Sequence, residues 1–295
     1  METKETIGKK HQEDLQRLRG FRLLDDEFLT KCFEDGGTCV EFVLRLVLER
    51  PDLQVVDVHT QVFVENLLNR SVRLDILATD SAGAKMNVEI QRSDKGAGRK
   101  RARYNSSMMD VNLLEKGEDF EKLPETWVIF ITEHDVMKEG KPVYPIERCF
   151  LETGKRFEDG SHILYVNGAY RGDTPMGKLM HDFACTDPAD MYYEVLAERV
   201  RFFKESKEGR FIMSKVLEDM RQESWKEGNA AGIKQGIKKG IRTGIKKGIK
   251  TGIETGTRTV ALRMLETGKY AVEEIAELSG LPLEDVKKLQ RRQRV

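Results

Sequence analysis

Apolar and polar residues alternate in two short runs of the chain, VRLDILAT (72–79) and MNVEIQ (86–91). A period of two is typical of β-strands that bury one face and expose the other. The polar residues between the runs include Gly83, and a glycine there suits the tight turn of a β-hairpin. We therefore predict two antiparallel strands joined by this turn.

The same kind of pattern predicts an α/β domain around the hairpin. Apolar residues at helical spacing predict a short helix over 25–34 and a stronger one over 38–50, which Pro51 would end. TWVIFIT (126–132) is continuously apolar, as in a central strand that is buried on both faces. The other predicted elements are a strand at 53–64, a helix at 96–114, a hairpin-like stretch at 143–150, a strand at 162–168 and helical sequence from 176 to 227. The resulting order, α-β-β-β-α-β, favours a sheet with helices packed on it.

Composition excludes several classes of protein. Charged residues make up 34% of the chain but cancel to a net charge of zero, so nucleic-acid binding would have to come from local patches. The cysteines and histidines show no metal-ligand spacing, which argues against zinc, and free thiols fit a reducing cytoplasm. No stretch approaches about 18 apolar residues, and the N-terminus has no apolar signal core. We therefore expect a cytoplasmic protein that neither spans a membrane nor is secreted.

Asp75 and Glu89 are the candidate metal ligands. Side chains two apart on a strand share a face, so Glu89 and Gln91 are predicted to point the same way while Ile90 turns into the core. If the two strands pair, Asp75 can lie beside Glu89, and Mg²⁺ binds such carboxylates together with water and phosphate. The alternative is a pair of solvated charges on a hairpin. We favour the metal site because Asp75 lies within an apolar run, where a charge needs a partner.

A basic run follows the hairpin, RSDKGAGRKRAR (92–103), with six basic residues and one acidic residue. Such a run is often only the solvated face of a helix. Directly after a candidate metal site it becomes a plausible surface for DNA phosphates, with Arg92, Arg99 and Arg103 as the candidate contacts. Tyr104 has two interpretations, as a hydrogen-bonding partner of substrate or water and as a half-buried residue packed on the sheet.

The hairpin and the basic helix together resemble a known family, the recombination-promoting nucleases and transposases, a branch of the PD-(D/E)XK nuclease superfamily. The resemblance is carried by Asp75, the triplet Glu89-Ile90-Gln91 and the pair Arg103-Tyr104, and it covers about residues 20 to 220. It implies a restriction-endonuclease-like mixed sheet flanked by helices, Mg²⁺ or Mn²⁺ as the cofactor, and DNA as the substrate. It also implies that Asp75 and Glu89 hold the metal ion as catalytic residues while Gln91 orients the attacking water.

Gln91 stands where most members of the superfamily have lysine, although glutamine is usual in this branch. An amide can orient a water molecule, but it cannot add positive charge to the transition state, which is usually the larger effect. Arg92 or Arg103 would have to supply that charge. We therefore expect a slow or weakly specific nuclease.

Members of the superfamily often have a third carboxylate at the site, and the first strong helix often provides it. Glu41 lies in the helix predicted over 38–50, and Glu65 follows the strand predicted over 53–64. The alternative for Glu41 is a capping box with Thr38 at the exposed start of the helix. No carboxylate stands out at a downstream helix position, so a DDE-type transposase is not expected.

An internal repeat follows the main domain, which is predicted over 21–228 after a charged and frayed segment at 1–20. From Gly232 the chain reads GIKQ GIKK GIRT GIKK GIKT GIET, a period of four residues held for six units. Glycine at every fourth position costs a lone helix about 1 kcal/mol each, so a helix here needs packing to compensate. We interpret the repeat, bounded at 229–256, as a helical spacer that makes a homo-oligomer; the alternative is a flexible basic linker that trails on DNA.

The tail at 257–295 resembles a helix-turn-helix. The small, turn and core positions of that motif correspond in spacing to Ala276, Gly280 and Val286, and Ile275, Leu281 and Leu289 fill apolar positions. Glu284 and Asp285 would open the recognition helix, where two acidic residues repel phosphate. We therefore favour a small helical module for packing or protein contacts over a DNA-reading motif.

Together these expectations describe a Mg²⁺-dependent DNA endonuclease that promotes recombination or the transfer of mobile DNA in a bacterial cytoplasm. The alternative is an oligomeric interaction protein that keeps the nuclease fold, is catalytically weak or inactive, and binds DNA weakly or not at all. Gln91 and the zero net charge favour the alternative, while the Asp75 and Glu89 pair favours the enzyme.

Overall fold

The computed structural model describes residues 4–66, 70–92 and 96–293. Lys95 of the basic run, the start of the N-terminal segment and the last two residues of the tail therefore lie outside the described residues. The chain divides into two compact units, one that ends at Glu218 and one that begins at Asp219. The predicted boundaries at residues 20, 228 and 256 stay predictions.

The first unit contains the predicted elements in the predicted order. Its helices are α1 (Lys4–Gly20), α2 (Asp26–Glu34), α3 (Gly37–Val47), α4 (Arg99–Leu113), α5 (Pro175–Ala184) and α6 (Glu194–Glu205). Its strands are β1 (Val55–Val64), β2 (Val72–Asp80), β3 (Lys85–Gln91), β4 (Thr126–Thr132), β5 (Val143–Ile146) and β6 (Ser161–Asn167). The chain then continues through α7 (Lys207–Thr267), α8 (Val272–Ser279) and α9 (Leu283–Gln293).

The described strands form one mixed sheet in the order β1-β2-β3-β4-β6-β5. β2 is antiparallel to β1 and β3, β4 is parallel to β3 and β6, and β5 is antiparallel to β6. Gly83 closes the β2–β3 hairpin at a φ of 89°, a conformation that L side chains rarely adopt. A mixed sheet flanked by helices is the restriction-endonuclease-like α/β fold that the sequence predicts.

Buried side chains cover both faces of this sheet. On β4, Val128 and Phe130 belong to a buried cluster that also contains residues of α4. Ile129 and Ile131 alternate with them, are just as buried, and therefore point to the opposite face. α2 and α3 both contact β1, and α2 also contacts β2. The sheet is thus enclosed as the continuous apolar run of β4 predicts.

The strands β2 and β3 diverge at the end of their hairpin, and this opening positions the candidate site. Their register runs from Thr79 opposite Lys85 to Ile76 opposite Val88 and ends there. β2 continues beside β1 as far as Val72, while β3 continues beside β4 as far as Gln91. The next residue on each strand beyond the last pair is Asp75 on β2 and Glu89 on β3.

Two local predictions in the N-terminal part are wrong. Residues 4–20 form a helix rather than a frayed segment, and Leu18 is buried near the end of that helix. One buried face is enough to stabilise a helix whose other faces are charged. Thr38 and Glu41 form no capping box, because α3 begins at Gly37 with Gly36 as its N-cap residue. Glu41 instead accepts a hydrogen bond from the Val55 amide at 2.9 Å.

The Gly-Ile repeat lies within α7, which is helical throughout its 61 residues. The helical interpretation of the repeat is therefore confirmed over the flexible linker. Its six isoleucines are each more than half exposed, from 56% for Ile233 to 61% for Ile253. Within the described residues, no atom lies near the position that a Cβ would take on the glycines from Gly232 to Gly256. No helix in the described part of the chain is long and apolar enough to cross a bilayer.

The tail is a small helical module with its own core. Ala261 near the end of α7 is buried together with Ile275 of α8 and with Val286 and Leu289 of α9. Gly280 makes the turn between α8 and α9 in a left-handed conformation, with a φ of 72°. Gly280 therefore lies at the turn, and Ile275, Val286 and Leu289 lie in the core, as the helix-turn-helix-like spacing predicts.

Candidate active site

Asp75 and Glu89 meet where β2 and β3 diverge, and both are buried, with 6% and 0% of their surface exposed. The Ile90 amide donates a hydrogen bond to Asp75 Oδ2 at 3.1 Å. The Asp75 amide donates in turn to the carboxylate of Glu89. Each carboxylate therefore takes a backbone hydrogen bond from the opposite strand where the ladder itself has ended. The sequence-predicted pair is brought together.

The charged forms of these two carboxylates are unfavourable in the protein alone. Burial, followed by the neighbouring charges of Glu89 and Asp26, raises the pKa of Asp75 to about 8. Burial also raises the pKa of Glu89, although the guanidinium of Arg101 and a hydrogen bond from Asn87 oppose that shift. Two buried carboxylates that repel each other in this way form a site that a bound cation would stabilise.

Arg101 on α4 links Glu89 to Gln91. Its Nη2 lies 2.7 Å from Glu89 Oε2, and its Nη1 donates to Gln91 Oε1 at 3.3 Å. The shared contact shows that Glu89 and Gln91 point to the same face, as the strand periodicity predicts, while Ile90 is buried. The guanidinium also lies 5.9 Å from the ring centre of Phe130, so it is held beside the site by packing as well as charge.

Asp75 and Gln91 line a cleft of about 820 Å³, and the fully buried Glu89 contacts Arg101 of the same lining. Its charged lining contains two carboxylates, Asp26 and Asp75, and five cations, Arg70, Arg73, Lys100, Arg101 and Arg103. A lining that combines carboxylates with several cations suits a phosphodiester, because cations attract the phosphates and carboxylates can hold a metal ion.

The strands β1 to β6 lie within a segment that matches a known family. Residues 44–168 match the model of PD-(D/E)XK nuclease family transposases. The match contains Asp75, Glu89 and Gln91, confirms the predicted resemblance, and supports a nuclease- or transposase-like role. It is shorter than the predicted extent of 20 to 220. No curated protein and no solved structure matches the chain.

PD-(D/E)XK nucleases generally use divalent metal ions, and the residues present fit one. Among the described residues, no three His, Cys, Asp or Glu side chains converge closely enough to hold a metal ion by themselves. Asp75 and Glu89 provide two carboxylates, and Mg²⁺ needs only one or two when water and substrate phosphate complete its shell. The all-oxygen donor set suits a hard divalent ion rather than a softer metal.

The other predicted DNA-contacting residues lie in different places. Arg103 and Tyr104 line the cleft, and the Tyr104 hydroxyl donates to the Arg70 carbonyl while its ring packs against the α4 cluster. Arg92 pairs with Asp25 at 2.9 Å, and Arg99 lies beside a methionine sulphur. Neither Arg92 nor Arg99 lines the cleft, so their contacts with DNA stay predictions.

Asp26 is a third carboxylate beside the pair, and the sequence gives no signal for it. It lines the cleft with Asp75, and its charge contributes to the raised pKa of Asp75. Burial and the neighbouring Glu27 raise the pKa of Asp26 itself. Glu41 is tied to the start of β1, and Glu65 lines a separate groove beside Val62 and Phe63, so neither candidate third carboxylate lines the cleft. Asp26 lies in the first turn of α2, outside the matched segment.

Proposed function

We propose that this chain is a DNA endonuclease that depends on Mg²⁺ or Mn²⁺. The observation that supports this function best is the buried pair Asp75 and Glu89, of which Asp75 lines a basic cleft and Glu89 contacts the cleft residue Arg101. Burying two carboxylates together is costly unless a cation accompanies them. The surrounding arginines and lysine fit the phosphates of a nucleic-acid backbone without reading its sequence.

In this proposal Asp75 and Glu89 hold the metal ion, and Asp26 contributes further negative charge beside them. When bound, the ion supplies Lewis-acid chemistry at the scissile phosphate and at the attacking water. Arg103 would anchor the DNA backbone at the cleft, because a guanidinium can hold a phosphate through two hydrogen bonds. Gln91 would help to orient the attacking water through the amide nitrogen that Arg101 leaves free.

Arg101 is our candidate for the positive charge that Gln91 lacks. The sequence favours Arg92 or Arg103 for that charge, but in the structure Arg101 contacts both Glu89 and Gln91. Its side chain is 41% exposed, so a phosphate in the cleft can approach it. Developing negative charge on a phosphate is stabilised most by cations that are already in place. Arg101 therefore does for this site what lysine does in most of the superfamily.

The biological role we propose is the promotion of recombination or of mobile-DNA transfer in a bacterial cytoplasm. The PD-(D/E)XK nuclease family transposase match supports a role in DNA rearrangement. The four cysteines are free, which fits a reducing compartment.

A supercoiled-plasmid assay tests the proposed activity. The full-length protein should nick plasmid in the presence of Mg²⁺ or Mn²⁺ and not in EDTA, and Glu89→Ala should abolish the nicking. Glu65→Ala is the matched control, because Glu65 is an exposed carboxylate outside the cleft. Metal-dependent nicking that survives Glu89→Ala would rule out this site, and its absence in the wild type would favour the non-catalytic interaction protein.

We also propose that the repeat helix makes a homo-oligomer. At about 100° per residue, a four-residue unit advances the isoleucine row by about 40°, so the apolar stripe winds around α7. A partner helix can stay in contact with this stripe along its length only if its own apolar stripe winds in the same way. A second copy of the chain meets this condition because its sequence is the same. The glycine row beside it lets two backbones approach closely, while the lysine row lies about 100° further round and stays in water.

A further inference from the structure

Gln61 has a backbone conformation that its position in a strand does not require. Its φ is 54° in the middle of β1, whereas a strand residue normally has a strongly negative φ. The left-handed region is unfavourable for a residue with a Cβ atom. Such conformations persist only where the surroundings enforce them, and they concentrate at functional sites.

Gln61 lies opposite Asp75. The register of β1 and β2 pairs Thr60 with Ile76 and Val62 with Leu74, so Gln61 and Asp75 face each other between these two pairs. The alternation of faces breaks at the same level. Leu74 and Leu77 pack against the same cluster although they lie three residues apart, which a regular strand would not allow.

The Gln61 side chain reaches across to α2. Its Nε2 donates to Thr30 Oγ1 at 3.1 Å and lies 3.5 Å from Asp26 Oδ1. The Thr30 hydroxyl is also 3.5 Å from that same oxygen of Asp26. Among the described residues, Asp26 Oδ2 has no hydrogen-bond donor, and the buried Oε1 of Gln61 has no partner.

An edge-strand device is the simplest alternative explanation. β1 is the edge of the sheet, and irregular backbone on an edge strand discourages pairing with other chains. That role needs only the distorted backbone. It accounts neither for a side chain directed at the one carboxylate of α2 that lines the cleft nor for a buried carbonyl oxygen left without a donor.

We propose that Gln61 is a positioning residue for Asp26 in the metal site. Its left-handed backbone directs the amide nitrogen onto Thr30 and Asp26 Oδ1, so that one carboxylate oxygen is fixed and the other stays available to the site. The unpartnered Oε1 can accept a hydrogen bond from water at the same place. This inference rests on the proposed function, since it assigns Asp26 and Gln61 to the groups that support the metal-binding pair Asp75 and Glu89.

Replacing Gln61 with glycine separates positioning from structure. Gln61→Gly keeps the left-handed backbone without strain and removes the side chain with its amide. The relief of backbone strain should keep the melting temperature of the metal-free protein the same or raise it. The Mn²⁺ concentration that half-maximally raises the melting temperature should increase about tenfold or more, which is usual when a group that supports the metal ligands is lost. Plasmid nicking should fall by a similar factor through kcat, with the KM for DNA unchanged.

Lys138→Gly is the matched control. Lys138 is exposed, has a φ of 61° and lies outside the cleft, so this change relieves the same backbone conformation without touching Asp26. It should leave both the Mn²⁺ response and nicking at the wild-type level. Gln61→Asn tolerates the backbone but has a shorter side chain, and it should behave as Gln61→Gly does.

Two results would overturn the inference. One is a Gln61→Gly protein whose Mn²⁺ response and nicking equal those of the wild type. The other is a metal-free Gln61→Gly protein that melts well below the wild type, because Gln61 would then act through stability. If the wild type binds Mn²⁺ but does not nick DNA, the endonuclease proposal fails while the shift in Mn²⁺ response still decides the role of Gln61.

Discussion

The candidate site and the repeat helix differ in a simple way, because the first buries charged groups and the second exposes apolar ones. In the cleft, buried carboxylates from two diverging strands have their pKa values raised, and each depends on contacts from distant parts of the chain. In the repeat, isoleucines recur every four residues on an exposed helix and depend on no other described part of the chain. At the candidate site, the positive charge of Arg101 does not offset the burial of the two carboxylates. In the repeat, no described residue covers the exposed isoleucines. This difference is the reason that we propose a cation as the partner of the first region and a second copy of the helix as the partner of the second.

The largest effect that we expect beyond the carboxylates themselves comes from Arg101. Arg101→Gln should lower metal-dependent plasmid nicking about 100-fold, because removing one preorganised donor at a developing charge costs about that much. Arg92→Gln serves as the control, since Arg92 pairs with Asp25 and Glu133 outside the cleft. A larger loss in Arg92→Gln than in Arg101→Gln would reverse the assignment of the positive charge.

A smaller effect is expected at Gln91. Gln91→Ala should lower nicking roughly tenfold, because one hydrogen bond is worth about 1 kcal/mol and tenfold corresponds to about 1.4 kcal/mol. Gln91→Lys should retain or raise the rate by adding positive charge beside Glu89. Single-turnover nicking rates measure both. Unchanged rates in Gln91→Ala would give this residue a purely structural role.

In the repeat, the expected effect is a change in mass. Replacing Ile237 and Ile245 together with glutamate should reduce the oligomeric state, because charges would interrupt the apolar stripe. Replacing Lys238 and Lys246 with glutamate introduces the same side chains on the row that we expect to face water, and it should leave the mass unchanged. Light scattering on the full-length proteins distinguishes the two. Equal masses for all three proteins would mean that the repeat is only a spacer.

The smallest expected effect concerns a single glycine. In an isolated helix, Gly244→Ala should stabilise α7 by about 1 kcal/mol, because alanine restricts the unfolded backbone. In a closely packed oligomer the added methyl groups would instead separate the two backbones and weaken association. Circular-dichroism melting at several protein concentrations tells these apart, and we expect weaker association. A concentration-independent gain in stability would contradict the packed interface.

The features that the sequence predicts are those that depend on local patterns, and the features that it does not predict depend on long-range packing. The hairpin with Gly83, the central strand β4 and the turn at Gly280 are local patterns, and the structure contains all three. The pairing of Asp75 with Glu89 also follows from local register. The sequence does not indicate helix α1, because its many charged residues obscure the apolar face on which Leu18 is buried.

The residues that complete the site could not be predicted, because long-range packing places them. Asp26 reaches Asp75 only because α2 packs on β1 and β2, and nothing in its neighbourhood in the sequence marks it. Arg101 is one of several cations in the basic run, and the start of α4 at Arg99 decides which of them meets Glu89. The left-handed conformation of Gln61 has no sequence signal, since glutamine is not a residue that favours it.

The central claim is that Asp75 and Glu89 form a metal site, and thermal melting with and without Mn²⁺ tests it most directly. The pKa of Asp75 is about 8 in the fold and near 3.8 for an unperturbed side chain, so its stabilising contribution is full below pH 4 and is lost as the pH rises to 8. In EDTA the wild type should therefore melt at lower temperature as the pH rises from 5 to 9, and Asp75→Asn should lack that part of the decrease. Mn²⁺ should raise the melting temperature of the wild type most at high pH and leave Asp75→Asn unchanged. An equal Mn²⁺ response in the two proteins would contradict the account.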